Sequence, residues 1–192
     1  ETNAVLQQAK TENNQTFGDT INAADEVIEI DGYNYDSVDP ESITISTTAA
    51  DNVINIYYTK RTDLSYTVNY LEKETNAVLQ QAKTENNQTF GTEIKASDEV
   101  VAIDGYNYDS ANPTEITIST DETKNVINLY YTKRTDLSYT VNYLEKGTNT
   151  VLKQAKTENN QTFGTEIKAS DEVITIDGYN YDSANPTEIT IS

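Results

Sequence analysis

ETNAVLQQAKTENNQTFG, residues 1–18, returns letter for letter at residues 74–91, and TNTVLKQAKTENNQTFG follows at residues 148–164. The offset from Glu1 to Glu74, and again from Glu74 to Gly147, is 73 residues, with no gap needed anywhere. GYNYDS keeps the same period at Gly32, Gly105 and Gly178. A fixed period of this kind makes the chain a tandem array, and it decides the architecture before any propensity does.

Residues 74–119 and 147–192 differ only at Glu74/Gly147, Ala77/Thr150, Gln80/Lys153, Val101/Ile174 and Ala102/Thr175. Copies this close are recent duplicates, so a motif seen three times is one observation and not a sign of constraint. The domains follow from the phase of the repeat. Residues 61–133 form a complete copy, from SYTVNYLE (Ser65–Glu72) to NVINLYYTK (Asn125–Lys133). Residues 1–60 lack the first of these segments and residues 134–192 lack the last, as expected of a piece of a longer array.

The charge is −19, from 13 basic and 32 acidic residues, and the complete copy alone carries 6 basic against 12 acidic. A polyanion repels phosphate backbones and anionic lipid, so neither nucleic acid nor a membrane surface is an expected partner. Cys, Met, Trp and His are absent. No disulfide, thiolate nucleophile or imidazole base is therefore available, and a domain of about 70 residues must be held by its core alone. No apolar run approaches the roughly 18 residues of a membrane span, so no insertion is expected.

Within the complete copy, Tyr66, Val68 and Tyr70 alternate with Thr67, Asn69 and Leu71, the period of a two-faced strand. Glu74-Thr75-Asn76 reads as a turn and Ala77–Thr84 as the returning strand of a hairpin. Asn86, Asn87 and Gly91 mark a polar break. Thr92–Ile103 reads as a short helical turn or irregular crossover, because Ile94, Ser97 and Val101 fall three and four apart. Asp104-Gly105 is a turn, Tyr106–Ser110 a strand, and Glu115–Ser119 another after Pro113. In Asn125–Thr132, Val126, Asn128 and Tyr130 oppose Ile127, Leu129 and Tyr131. The fold class expected is α+β, mostly β: a small module that gains from contact with its neighbour. The Tyr131–Leu137 linker has neither Gly nor Pro, which predicts a semi-rigid rod.

Tyr66–Glu72 (YTVNYLE), Asp104-Gly105-Tyr106 and Tyr130–Lys133 (YYTK) resemble the mucin-binding-protein (MucBP) repeat of Gram-positive surface adhesins. The pattern is also similar to the B repeats of internalin-type proteins. The resemblance implies β-grasp-like, ubiquitin-like modules strung head to tail on a cell-wall-anchored surface protein. It further implies mucins or their glycans as ligands.

The candidate residues follow from chemistry. Fourteen tyrosines stand against three phenylalanines. Exposed members of Tyr106, Tyr108, Tyr130 and Tyr131, with Asn107 and Asp109, suit a shallow glycan site, since a tyrosine ring stacks on sugar while its hydroxyl bonds. Cross-strand structural pairing is the competing use of the same side chains. Asp104, Asn107 and Asp109 offer clustered oxygens to a calcium ion, although Asp and Asn are also ordinary turn residues. Asp98/Glu99 and Asp104/Asp109 are carboxylate pairs, but a thin module lacks the cleft that a glycosidase needs. Asn14-Gln15-Thr16 and its copies at Asn87 and Asn160 are glycosylation sequons, and Lys83 and Lys95 are candidates for an isopeptide bond with an Asn.

The expected function is a non-catalytic extracellular stalk without cofactor, with weak multivalent glycan binding as the alternative. Head-to-tail self-association by strand complementation is expected as well, because the first copy needs an opening strand and the third a closing one.

Overall fold

A computed structural model describes residues 4–192. Strands make up 46% of the chain, and helical structure is confined to 3₁₀ turns of three or four residues, with no α-helix among the described residues. The chain is therefore mostly β. In the first repeat the strands are β1 (Thr20–Asn22), β2 (Tyr33–Asp39), β3 (Ser42–Thr44) and β4 (Asn55–Lys60). The second repeat carries β5 (Leu64–Glu72), β6 (Val78–Gln88), β7 (Glu93–Lys95), β8 (Tyr106–Asn112), β9 (Glu115–Thr117) and β10 (Val126–Lys133). The third has β11 (Leu137–Leu144), β12 (Val151–Gln161), β13 (Glu166–Lys168) and β14 (Glu188–Thr190).

The alternation in the sequence becomes burial. Leu64, Tyr66, Val68 and Tyr70 of β5 are all buried, and Ile127, Leu129 and Tyr131 of β10 are 0%, 0% and 1% exposed. Polar Thr67, Asn69 and Asn128 occupy the opposite, half-exposed face. The hairpin turn is closed by Glu72 N–H donating to the Ala77 carbonyl and Asn76 N–H donating to Glu72, with Asn76 in the left-handed region at φ 57°. β6 runs on to Gln88, past the polar break that Asn86 and Asn87 suggest, and Asn87 stays in the strand at φ 58°. Asparagine tolerates that conformation better than other non-glycine residues, which is why a strand continues where its sequence reads as a turn. The Thr92–Ile103 crossover holds β7 and then a 3₁₀ turn at Ala96–Glu99.

Four strands of the second repeat form one sheet in the order β6-β5-β10-β8, while β7 pairs with β9. The central pair is parallel. Thr67 N–H donates to Asn125 and Lys73 N–H to Tyr131, both at 2.9 Å, so six residues along one strand match six along the other in the same sense. β8 is antiparallel to β10, with a bulge that leaves Asp109 unpaired between Tyr108↔Tyr131 and Ser110↔Tyr130. β2 and β4 of the first repeat repeat this register, bulge included, with Tyr35↔Tyr58 and Ser37↔Tyr57. In the third repeat β11 pairs with β12, and β13 with β14.

By contacts, the chain divides into two compact units that do not follow the repeat boundaries. One comprises Glu1–Thr67, Lys83–Lys95 and Glu115–Val126; the other Val68–Ala82, Ala96–Thr114 and Ile127–Ser192. The first unit's buried side chains include Ala23, Leu64, Tyr66, Ile116 and Ile118. The second buries Val68, Tyr70, Ala96, Ile127, Leu129, Tyr131 and Ile191. No helix among the described residues is long and apolar enough to cross a membrane.

Candidate functional site at the repeat junctions

Asp104-Gly105 turns the chain just before β8, and Tyr106 N–H closes the turn on the Ile103 carbonyl at 3.1 Å. Gly105 sits at φ 75°, a conformation that L side chains rarely adopt. The open side of this glycine receives the Phe163 ring of the third repeat, so closely that a Cβ on Gly105 would overlap the ring. Tyr106 meets the same ring edge to face, with centroids 5.6 Å apart at 62°. Arg134, in the linker, ties both sides: its N–H donates to Gly105 and its carbonyl accepts from Phe163 N–H, each at 2.9 Å. Its guanidinium grips Asp136 by two bonds of 3.0 Å, which holds that carboxyl below the usual carboxylate range.

The arrangement is repeated one period earlier, inside the other compact unit. The Phe90 ring covers Gly32 and meets Tyr33 at 5.7 Å and 64°. Arg61 N–H donates to Gly32, Phe90 N–H donates to Arg61, and the Arg61 guanidinium forks onto Asp63 at 2.9 Å. All three phenylalanines of the chain occupy this one repeat position, an isolated aromatic in the polar run TENNQTFG. That was the available signal for the junction, which motif reading passed over in favour of the tyrosines.

Burying such a ring contributes about 2–4 kcal/mol, edge-to-face contact included. Holding two or three linker residues costs about 1–2 kcal/mol each. The two backbone hydrogen bonds, at about 1 kcal/mol apiece, tip the balance toward a closed joint.

Beside this joint lies a shallow, open hollow of about 550 Å³, lined by Asp104, Gly105, Tyr106, Asn107, Arg134 and Asp136, among others. Tyr106 and Asn107 are thus brought together. Tyr108 is 42% exposed and rests edge-on against Tyr131 at 5.8 Å. Tyr130 is half-buried. Tyr131 does not belong to the exposed set. It is 1% exposed, its hydroxyl donates to the Val101 carbonyl at 3.0 Å, and burial pushes that hydroxyl's pKa up. A ring whose face and hydroxyl are both occupied inside the core has nothing left to offer a sugar.

The oxygen cluster is not gathered either. Asp109, the bulged residue, turns to the Lys73 ammonium at 2.7 Å, which holds its carboxyl below the usual range, whereas Asp104 faces the hollow. No group of three His, Cys, Asp or Glu side chains is placed to hold a metal among the described residues. The candidate isopeptide position Lys83 meets Glu85 at 3.2 Å, and its counterpart Lys156 meets Glu158 and Glu172. The Lys156 pKa is raised by Glu172, and the Glu172 pKa is lowered by Lys156. Both partners are thereby kept charged, the reverse of the neutral amine that isopeptide attack needs. Glu99, the buried member of the Asp98/Glu99 pair, is 8% exposed; Glu172, its counterpart, accepts from the Tyr139 hydroxyl at 2.6 Å, a structural role.

Compared with models of known protein families and with curated protein sequences, the chain matches none.

Proposed function

We propose that this chain is a non-catalytic repeat stalk, the part of a cell-surface adhesin or surface fibre that projects another segment outward. On this reading each repeat is a β-grasp-like module and the modules run head to tail as a stiff rod. The sheet order of second, first, last and third long strand, with a parallel central pair, supports the module. The extracellular, wall-anchored setting rests on the cysteine-free acidic composition and the resemblance to MucBP repeats.

The observation that carries the stalk is the recurrence of one closed junction, Gly32–Phe90 and Gly105–Phe163, with the same tether through Arg61 and Arg134. A flexible string of beads has no use for such a seat. Small-angle scattering on arrays lengthened by one 73-residue unit at a time tests this. A maximum dimension that grows linearly with copy number supports the stalk, and growth as the square root refutes it.

A second reading is favoured by the hollow beside Tyr106 and Asn107, which suits weak, multivalent binding of mucin or host glycan. Binding to a glycan array that disappears when Tyr106 and Asn107 are replaced by Ala in every copy would move the assignment to an adhesive repeat. The partner that fits the stalk itself is another copy of the repeat.

A further inference from the structure

We propose that β11 of one copy of this chain pairs with β4 of a second copy, so that two partly built repeats complete each other and copies join head to tail. The inference rests on the reading of the chain as an array of equivalent repeats. In the second repeat β5 and β10 lie side by side at the centre of the sheet. Their counterparts one period away are β11, which pairs only with β12, and β4, which pairs only with β2, among the described residues. Joining them restores the order β12-β11-β4-β2, the equivalent of β6-β5-β10-β8.

Each half is already shaped for the other. The β2–β4 pair keeps the full register and the bulge of β8–β10 without a described neighbour on its second edge. The apolar faces are complementary as well. Ile127, Leu129 and Tyr131 are at most 1% exposed in the complete repeat, whereas Ile54, Ile56 and Tyr58 are only half-buried. Leu64, Tyr66, Val68 and Tyr70 are buried, whereas Leu137, Tyr139, Val141 and Tyr143 are half-buried. No strand forms over residues 4–19 or 180–187, so the union displaces no regular structure there.

Polar groups select the partner. Buried Asn125 donates to Ser119 in its own loop and to Ser65 of β5, at 2.8 and 3.0 Å. Asn52 makes the loop bond, to Ser46 at 2.9 Å, and its second N–H has no acceptor among the described residues; Ser138 of a second copy is the matching carbonyl. Asn69 bonds Asn128 at 2.8 Å across the central pair, and their counterparts Asn142 and Asn55 are unpaired among the described residues. Edges that carry such groups are templates for strand addition, and a head-to-tail contact of this type is open-ended.

The chain has no cysteine, which permits a direct test. In the full chain carrying Asn55→Cys and Asn142→Cys, mild oxidation is expected to give a ladder of covalent oligomers whose yield rises with protein concentration and with salt, which screens the like charges. Asn52→Ala weakens association of the unlinked chain about tenfold. Asn69→Cys with Asn128→Cys, closing within the second repeat, controls for folding. A chain that stays monomeric in sedimentation, or a disulfide between positions 55 and 142 found only within single chains, overturns the proposal. So does association that yields no ladder and is lost on Phe17→Ala, since that would seat the 74%-exposed Phe17 on the open Gly178 turn instead. A monomeric chain leaves the stalk standing, because scattering decides that separately.

Discussion

Gly105 carries two demands at once, a positive φ and an aromatic ring against its α-carbon. Gly105→Ala therefore incurs backbone strain of about 1–2 kcal/mol plus the displacement of Phe163. In chemical denaturation the substitution is expected to cost about 2–4 kcal/mol alone, but only the strain component in a Phe163→Ala background. Equal costs in both backgrounds would mean that ring and glycine are not coupled. Asn125, 2% exposed and bonded to Ser65 and Ser119, is the other residue whose environment fixes its identity. Asn125→Ala leaves buried carbonyls without donors and is expected to destabilise by about 2–4 kcal/mol in the same assay. Neither residue announced itself in the sequence. Asp-Gly-Tyr reads as a turn whatever packs on it, and Asn125 reads as the polar start of a strand. What a side chain touches far along the chain is not written in its neighbours.

At the scale of elements, period-two alternation in β5 and β10 was enough to name the buried faces, because one face of each strand meets the core. The length of β6 was not legible, since Asn86 and Asn87 look like a break while Asn87 stays in the strand with a left-handed φ. The same strand also behaves differently by context. Leu129 in β10 is 0% exposed, and Leu129→Ala is expected to cost about 2–5 kcal/mol in denaturation. Ile56 at the equivalent place in β4 is half-buried, so Ile56→Ala costs much less, a contrast measurable by hydrogen exchange. In the third repeat, Glu172 joins the Lys156 ammonium to the Tyr139 hydroxyl. Its pKa is lowered, so its contribution is present above the ordinary carboxylate value of about 4.3 and is lost as pH falls through the folded value. The Lys156 pKa is raised, so the contribution of that group is present below about 10.4 and is lost as pH climbs through the folded value. Denaturation across pH is expected to show a plateau between these limits, and Lys156→Gln should flatten both limbs.

For the whole molecule, repetition was the most legible feature, and it carries the charge with it. A balance of −19 spread along the copies means that neighbouring repeats repel one another, so the joints must be held by short-range contacts. The Phe–Gly seat supplies them, and its placement on either side of a linker without Gly or Pro makes the joint stiff. Spin labels at Ser97→Cys and Ser170→Cys, two exposed positions one period apart on either side of the Gly105–Phe163 joint, measure this directly. The stalk predicts one narrow distance distribution that broadens in Phe163→Ala. A distribution already broad in the parent sequence and unchanged by Phe163→Ala would contradict it.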